Sequence, residues 1–277
     1  MKKSIVWLAS YPKSGNTWMR IFLANYLSNA KTPVPINQVH KFGIGDSIAK
    51  MYHMVARREI DVHDVQLTLN LRPKVMRGIV ANNADLNFVK THNIRTVVRG
   101  TELIPANVTR QAIYIIRNPL DVILSYARHY GQTPAESVTA LAHPDNVNAA
   151  EPSTVMQFLG TWSDHVKSWE KGTAFPTLVV RYEDMLEKPT ETFGNVLKTI
   201  GLDPDPEKLD RAIRFSSFEE VSNQEEVDGF KERSPNSDRF FSKGTAGQWK
   251  SELDPELVAQ VRRDHKRVMK KYGYYSV

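Results

Sequence analysis

Four short apolar runs, each ending in a cluster of polar residues, set the pattern of this chain. Ser4-Ile5-Val6-Trp7-Leu8-Ala9 is nearly all apolar, as a central strand buried on both faces must be. A short loop with one glycine follows. Thr17 to Leu27 then places Trp18, Phe22, Leu23 and Tyr26 at positions compatible with a helix. Leu86 to His92 and Gln111 to Ile116 read as further strands. The latter ends in Arg117-Asn118-Pro119, and Pro119 suits the first position of a helix over 119–130. Pro176 to Tyr182 reads as a fourth strand, followed by acids and another helix. Strands alternating with helices predict an α/β fold: a single domain over residues 1–277 with a central parallel sheet flanked by helices. Ligands bind such sheets at the carboxyl edge of the strands, where the polar clusters fall.

Between these runs the pattern is less regular. Val155 to Lys171 carries Phe158, Leu159, Trp162, Val166 and Trp169 at helical spacing and predicts a core-facing helix. Residues 131–150 form an excursion rich in proline, alanine and asparagine. Residues 222–248 lack apolar periodicity and hold many charges and three glycines, which predicts a long mobile lid loop. A last helix opens at Asp254-Pro255-Glu256 and ends near Tyr272-Gly273. Its run from Arg262 to Arg267 predicts a solvated face.

Composition narrows the chemistry. The chain has no cysteine, which excludes disulfides, thiolate metal sites and cysteine nucleophiles. Its net charge is +6, but the basic residues are dispersed, with no arginine-rich arm and no zinc-finger spacing. A basic pocket for a small polyanion accounts for this better than a nucleic-acid partner. No apolar stretch approaches the roughly 20 residues of a membrane helix. The run Ile5 to Ala9 is too short for a signal peptide, so a cytoplasmic protein without a membrane partner is expected. The sequence sets no oligomeric state.

Three polar clusters carry candidate chemistry. The loop after the first strand leads into a helix start, where free N–H groups and the positive dipole end favour an anion. Lys13 adds a charge, Ser14, Asn16 and Thr17 add donors, and Gly15 permits close approach of the backbone. The lysine precedes the glycine and the loop is short, unlike the triphosphate loop of a P-loop small-molecule kinase, which also needs Mg²⁺. Arg117 sits at a strand end and Ser125 two turns into the next helix, so a phosphate fits between guanidinium and hydroxyl. Lys90-Thr91-His92 places a histidine at the same edge. A kinase and a catalytically silent nucleotide-binding protein stay open on these residues alone.

The full string Tyr11-Pro12-Lys13-Ser14-Gly15-Asn16-Thr17-Trp18 resembles the 5'-phosphosulfate loop of cytosolic sulfotransferases that use PAPS (3'-phosphoadenosine 5'-phosphosulfate). The family's usual form has threonine where Asn16 stands. Arg117 to Tyr126 resembles the 3'-phosphate motif. Phe241 to Lys250 resembles the segment Arg-Lys-Gly-x-x-Gly-x-Trp-Lys, with Ser242 in place of the arginine and Arg239 as a candidate substitute. Trp162 to Trp169 and Arg181 to Met185 match further family segments in order. The resemblance spans roughly residues 4 to 273 and implies a P-loop nucleotide-binding-like fold. It implies PAPS as co-substrate, PAP (adenosine 3',5'-bisphosphate) as product, a small-molecule acceptor with a hydroxyl or amine, and no metal.

Site roles follow by the same resemblance. His92 is implied as general base, with Lys13 stabilising the leaving phosphate, Lys90 near the sulfuryl oxygens and Ser125 restraining Lys13. Donor contacts are implied for Lys13, Ser14, Gly15, Asn16 and Thr17 at the 5' end. Arg117, Ser125, Lys243 and Gly244 are implied at the 3'-phosphate, and Trp18, Tyr182, Ser216 and Phe218 near the adenine. Asp121 is expected to pair with a nearby base or to start its helix. Residues 31–85 and 131–155 match no family segment and are expected to hold the acceptor specificity. The dimer segment of animal members is absent after Trp249.

Overall fold

A computed structural model of the chain describes residues 4–172 and 174–276. In chain order its strands are β1 (Ile5–Ser10), β2 (Ile44–Gly45), β3 (Asn87–Thr91), β4 (Val97–Val98), β5 (Thr101–Glu102), β6 (Thr109–Ile116), β7 (Val147–Asn148), β8 (Gln157–Phe158) and β9 (Thr177–Arg181). Five of them form a parallel sheet in the order β2-β3-β1-β6-β9, while β4 pairs with β5 and β7 with β8 in small antiparallel ribbons. The four strands expected from the sequence are β1, β3, β6 and β9. The edge strand β2 lies in the stretch that carried no strand signal.

The helices are α1 (Asn16–Ser28), α2 (Ala49–Ala56), α3 (Val65–Ile79), α4 (Pro119–Tyr130), α5 (Pro134–Ala142), α6 (Trp162–Glu170) and α7 (Tyr182–Glu187). They continue with α8 (Pro189–Thr199), α9 (Pro206–Phe215), α10 (Phe218–Asp228), α11 (Trp249–Glu252), α12 (Pro255–Asp264) and α13 (Lys266–Lys271). No helix of the described residues is long and apolar enough to cross a membrane.

Central strand β1 is fully buried, and its alternate side chains feed two cores. Ile5, Trp7 and Ala9 join Tyr114, Leu120, Trp162 and Trp169 on one face. Val6 and Leu8 join Phe22, Ile113, Phe193 and Leu197 on the other. A sheet covered on both faces needs such continuous apolar strands. Its register decides the site. Ala9 is level with Thr91, Ser10 with Ile115, and Ile116 with Arg181. One step further on, Tyr11, His92, Arg117 and Tyr182 emerge together at the carboxyl edge.

Three expectations change. The helix expected over 155–171 begins only at Trp162, because Gly160 adopts φ 64, Thr161 caps the helix, and Gln157–Phe158 pair with β7. The loop expected over 222–248 is helical up to Asp228, as α10, capped by Ser217; within it only Val221 and Glu225 are buried, so no apolar period marks it. Residues 229–248 carry no helix or strand. The last helix breaks at His265, which is buried with its Nδ1 2.9 Å from the Ser163 hydroxyl.

A buried ion pair braces the edge beneath His92. Arg72 Nη2 lies 2.5 Å from Asp46 Oδ2, with both side chains almost wholly out of solvent. The same carboxylate oxygen accepts bonds from the Thr91 hydroxyl (2.8 Å) and the Asn93 amide (3.0 Å), the residues on either side of His92. Removing one member of such a pair strands a buried charge, which costs about 3–5 kcal/mol. Asp46→Ala should therefore lose about that much stability in urea unfolding. A loss below about 1 kcal/mol would contradict this role.

Candidate active site

The β1–α1 loop turns through two left-handed residues, Lys13 (φ 67) and Gly15 (φ 103). Gly15 cannot be replaced simply: a Cβ there would lie 2.6 Å from the Tyr182 ring. No side chain caps α1. Asn16 instead turns its amide back, donating to the Leu8 carbonyl at 2.8 Å and tying the loop to β1. Ser14 Oγ, Asn16 Oδ1 and Trp18 Nε1 are buried without a hydrogen-bond partner among the described residues. Asn16 Oδ1 is an acceptor, whereas the uncapped helix start and the Ser14 and Trp18 donors form the arrangement an anionic group satisfies.

Arg117 closes the loop from the next strand. Its guanidinium lies 4.2 Å from the Tyr182 ring centre and donates to the carbonyls of Lys13 and Thr245, each at 3.2 Å. Its partners are carbonyls rather than carboxylates, so its charge is left for a ligand. Trp18 meets Tyr182 edge-on at 5.7 Å.

Residues 229–248 cover the site and are anchored from below. Asp121 accepts from the N–H groups of Gly247 (2.8 Å) and Trp249 (3.3 Å), so it anchors this segment and does not pair with a base. Glu225 likewise accepts from the N–H groups of Phe240 and Phe241. Gly244 (φ 62) packs so closely on Phe218 that a Cβ would overlap the ring. Lys243 pairs with Glu252, which also faces Arg128 at 3.5 Å. Arg239 is exposed and pairs with Glu226 at 3.1 Å, outside the cavity lining.

One cavity of about 360 Å³ connects these parts. Along its walls lie Lys13, Gly15, Asn16, Thr17, Trp18, Lys90, His92, Arg117 and Ser125. Tyr182, Ser216, Phe218, Lys243 and Gly244 complete the expected set, while Ser14 is buried behind the loop. The Ser216 hydroxyl is engaged with its own helix, donating to the Ala212 carbonyl at 2.8 Å.

His92 has a defined tautomer. Its Nδ1 lies 2.8 Å from the Ser10 carbonyl, which only accepts, so Nδ1 carries the proton and Nε2 keeps its lone pair. Burial and the nearby Lys90 push its pKa well below the usual imidazole range, so the ring is neutral. His165 steadies it: its Nε2 donates to the His92 carbonyl at 3.0 Å, and its Nδ1 accepts from Tyr114 at 2.8 Å.

Cations crowd the site. Burial, then Lys90 and Arg117, lower the Lys13 pKa to about 7. The Lys13 Nζ lies 4.1 Å over the Phe240 ring and 3.5 Å from His129 Nδ1. The carboxylate opposing these charges is Glu232, at 2.8 Å from Arg20 and 3.4 Å from Lys90, with Thr17 at 3.5 Å. Burial would raise the Glu232 carboxyl, but Lys90 and Arg20 outweigh it and hold it at about 2. Glu232, Arg128, His129 and Phe240 were not found in the sequence. Arg128 and His129 follow Ser125 by three and four positions, a helical spacing that could have pointed to them.

An uncapped helix start, an arginine at the next strand end and a neutral histidine meet around one cavity at the carboxyl edge of a parallel sheet. The family model described as the sulfotransferase domain matches residues 3–273, and the chain belongs to that family. It is 28% identical over 284 residues to sulfotransferase 1 family member D1 of Mus musculus, covering 95% of this chain and 82% of that protein. It is 26% identical over 288 residues to human sulfotransferase 1E1, covering 95% and 83%. Similar solved structures include retinol dehydratase in complex with androsterone and inactive cofactor PAP (TM-score 0.67, 18% identity, 98% of this chain and 82% of that one). Mouse sulfotransferase SULT7A1 complexed with PAP is another (TM-score 0.60, 21% identity, 100% and 90%). The fold is that of sulfotransferases.

The depressed Lys13 yields a prediction. A phosphate beside Lys13 restores its charge, so PAP binding at pH 8 should take up close to one proton, about the fraction a pKa near 7 leaves deprotonated. PAP affinity should fall as pH rises above 7. Calorimetry in buffers of different ionisation enthalpy measures the uptake; Lys13→Met should abolish it. Uptake unchanged in that variant would contradict the assignment.

Proposed function

We propose that this protein transfers a sulfuryl group from PAPS to a hydroxyl or amine of a small-molecule acceptor. One observation carries the reading: the uncapped start of α1, Arg117 and a neutral His92 with a free Nε2 line the same cavity. Family membership supports the activity. Retinol dehydratase, a structural neighbour, is seen with androsterone in one complex and retinol in another, and the cavity here, about 360 Å³, also suits a small acceptor.

In this reading the loop N–H groups, Ser14, Thr17 and Lys13 hold the 5'-phosphosulfate. Arg117, Ser125 and Lys243 hold the 3'-phosphate, with Lys243 exchanging Glu252 for it. Tyr182, Trp18 and Phe218 take the adenine. His92 Nε2 removes the acceptor proton as the acceptor oxygen bonds to sulfur. Lys13 stabilises the charge that develops on the departing phosphate, and Lys90 the sulfuryl oxygens. Residues 229–248 act as a lid. No metal enters the scheme, because lysine and arginine balance the donor's charge.

His92→Ala should lower turnover about 10²–10⁴-fold, the span of general-base catalysis, while PAP still binds. Turnover at the wild-type rate would sink the base assignment. Arg117→Ala should weaken PAPS about 10- to 100-fold, the worth of a charged hydrogen bond, and adenosine 5'-phosphosulfate far less. Equal weakening of the two would remove Arg117 from the 3'-phosphate.

A further inference from the structure

Beyond His92 the cavity is bounded by the β7–β8 ribbon, its connecting turn and the last turn of α4. The side chains there are Tyr130, Asn148, Ala149, Glu151, Thr154 and Gln157, of which Ala149 alone has no polar group. These polar groups are held in order. Tyr130 donates to Asn148 Oδ1 at 2.8 Å, and Asn148 Nδ2 donates to Gln157 Oε1 at 3.0 Å. Gln157 Nε2 donates to the Ser47 hydroxyl at 3.1 Å, and Ser47 donates to Asp46 at 2.9 Å. The chain therefore ends on the buried Asp46–Arg72 pair, which fixes the orientation of both amides.

Each amide uses one N–H in this chain and keeps a second. Fixed donors on one wall, with the Glu151 carboxylate and Thr154 hydroxyl beside them, form a surface for a ligand bearing several hydroxyls. Phe240 adds an apolar face: it stacks against Lys13, which in turn lies 3.5 Å from His129, the neighbour of Tyr130. A hydroxylated ring has this double character, with C–H faces and a polar rim. A site built to bond a substrate hydroxyl rejects an analogue lacking it by about 10⁴-fold, because its own polar groups are left unpaired. A steroid or retinoid would leave this wall dry and unpaired.

We propose that the acceptor is a small polyhydroxylated ring, of sugar or cyclitol type, held by Asn148, Gln157, Glu151 and Thr154 with one hydroxyl at His92. This rests on the donor reading above. In the transfer, that hydroxyl's proton passes to His92 Nε2 and its oxygen bonds to sulfur. The bond from sulfur to the 5'-phosphate oxygen breaks, and PAP leaves with the electron pair.

The test offers sulfur-labelled PAPS with methyl hexosides and myo-inositol, against 4-nitrophenol and a 3-hydroxysteroid, alongside calorimetric titration of PAP. Label should pass to at least one polyol with kcat/KM at least about tenfold above the phenol and the steroid. Preference for the phenol or steroid, or no labelled polyol from a protein that binds PAP, overturns the acceptor class alone. Failure to bind PAP overturns the donor reading and this proposal with it. Asn148→Leu should raise the polyol KM about tenfold with PAP affinity unchanged. An equal change in the phenol's KM would overturn the role of that wall.

Discussion

Nothing caps the amino end of α1, and that bare helix end organises the edge of the sheet around it. Its free N–H groups, with the cavity-lining Lys13 and Arg117 beside them, form a positive edge suited to an anion. The turn exists because Lys13 and Gly15 adopt left-handed backbone and because Asn16 spends its amide on the Leu8 carbonyl. Tyr182 fits against Gly15 only for lack of a Cβ, and Arg117 fits over Tyr182 while holding the Lys13 carbonyl. Two strand ends and a helix start are thereby locked into one anion cradle.

That cradle concentrates positive charge, and the surrounding carboxylates are placed to manage it. Glu232 lies against Arg20 and Lys90, and Glu252 against Lys243 and Arg128. Among the described residues Lys13 has no carboxylate in salt-bridge contact, and burial with Lys90 and Arg117 nearby holds its pKa at about 7. Burial first, and then the adjacent Lys90, keep His92 neutral. Burial and the hydrogen bond to Ser10 thus leave His92 Nε2 as the ring nitrogen with a free lone pair.

The sequence was most legible where signals are local. The apolar run of β1, the proline opening α4 and the polar residue after each strand are nearest-neighbour properties, and α4 falls where the pattern put it, at Pro119–Tyr130. Long-range features were hidden. The role of Asp121 depends on backbone groups 126 and 128 positions away in Gly247 and Trp249. Glu232 comes from a stretch without periodicity, and its partners Arg20 and Lys90 lie 212 and 142 positions away. The expected helix over 155–171 failed at Gly160, where positive φ and ribbon pairing outweigh apolar spacing. The acceptor wall was unreadable for the same reason: its amides align only through Ser47 and Asp46, far away in the chain.

A cavity that reads a nucleotide by charges at both its 3' and 5' ends must tell apart nucleotides that differ in those charges. Parallel titrations with PAP, AMP and ATP–Mg²⁺ test it most directly. The account predicts that PAP binds at least about tenfold more tightly than AMP, since one further phosphate meets Arg117, and that ATP–Mg²⁺ binds more weakly than PAP. Equal affinity for PAP and AMP, or preference for ATP–Mg²⁺, would contradict it.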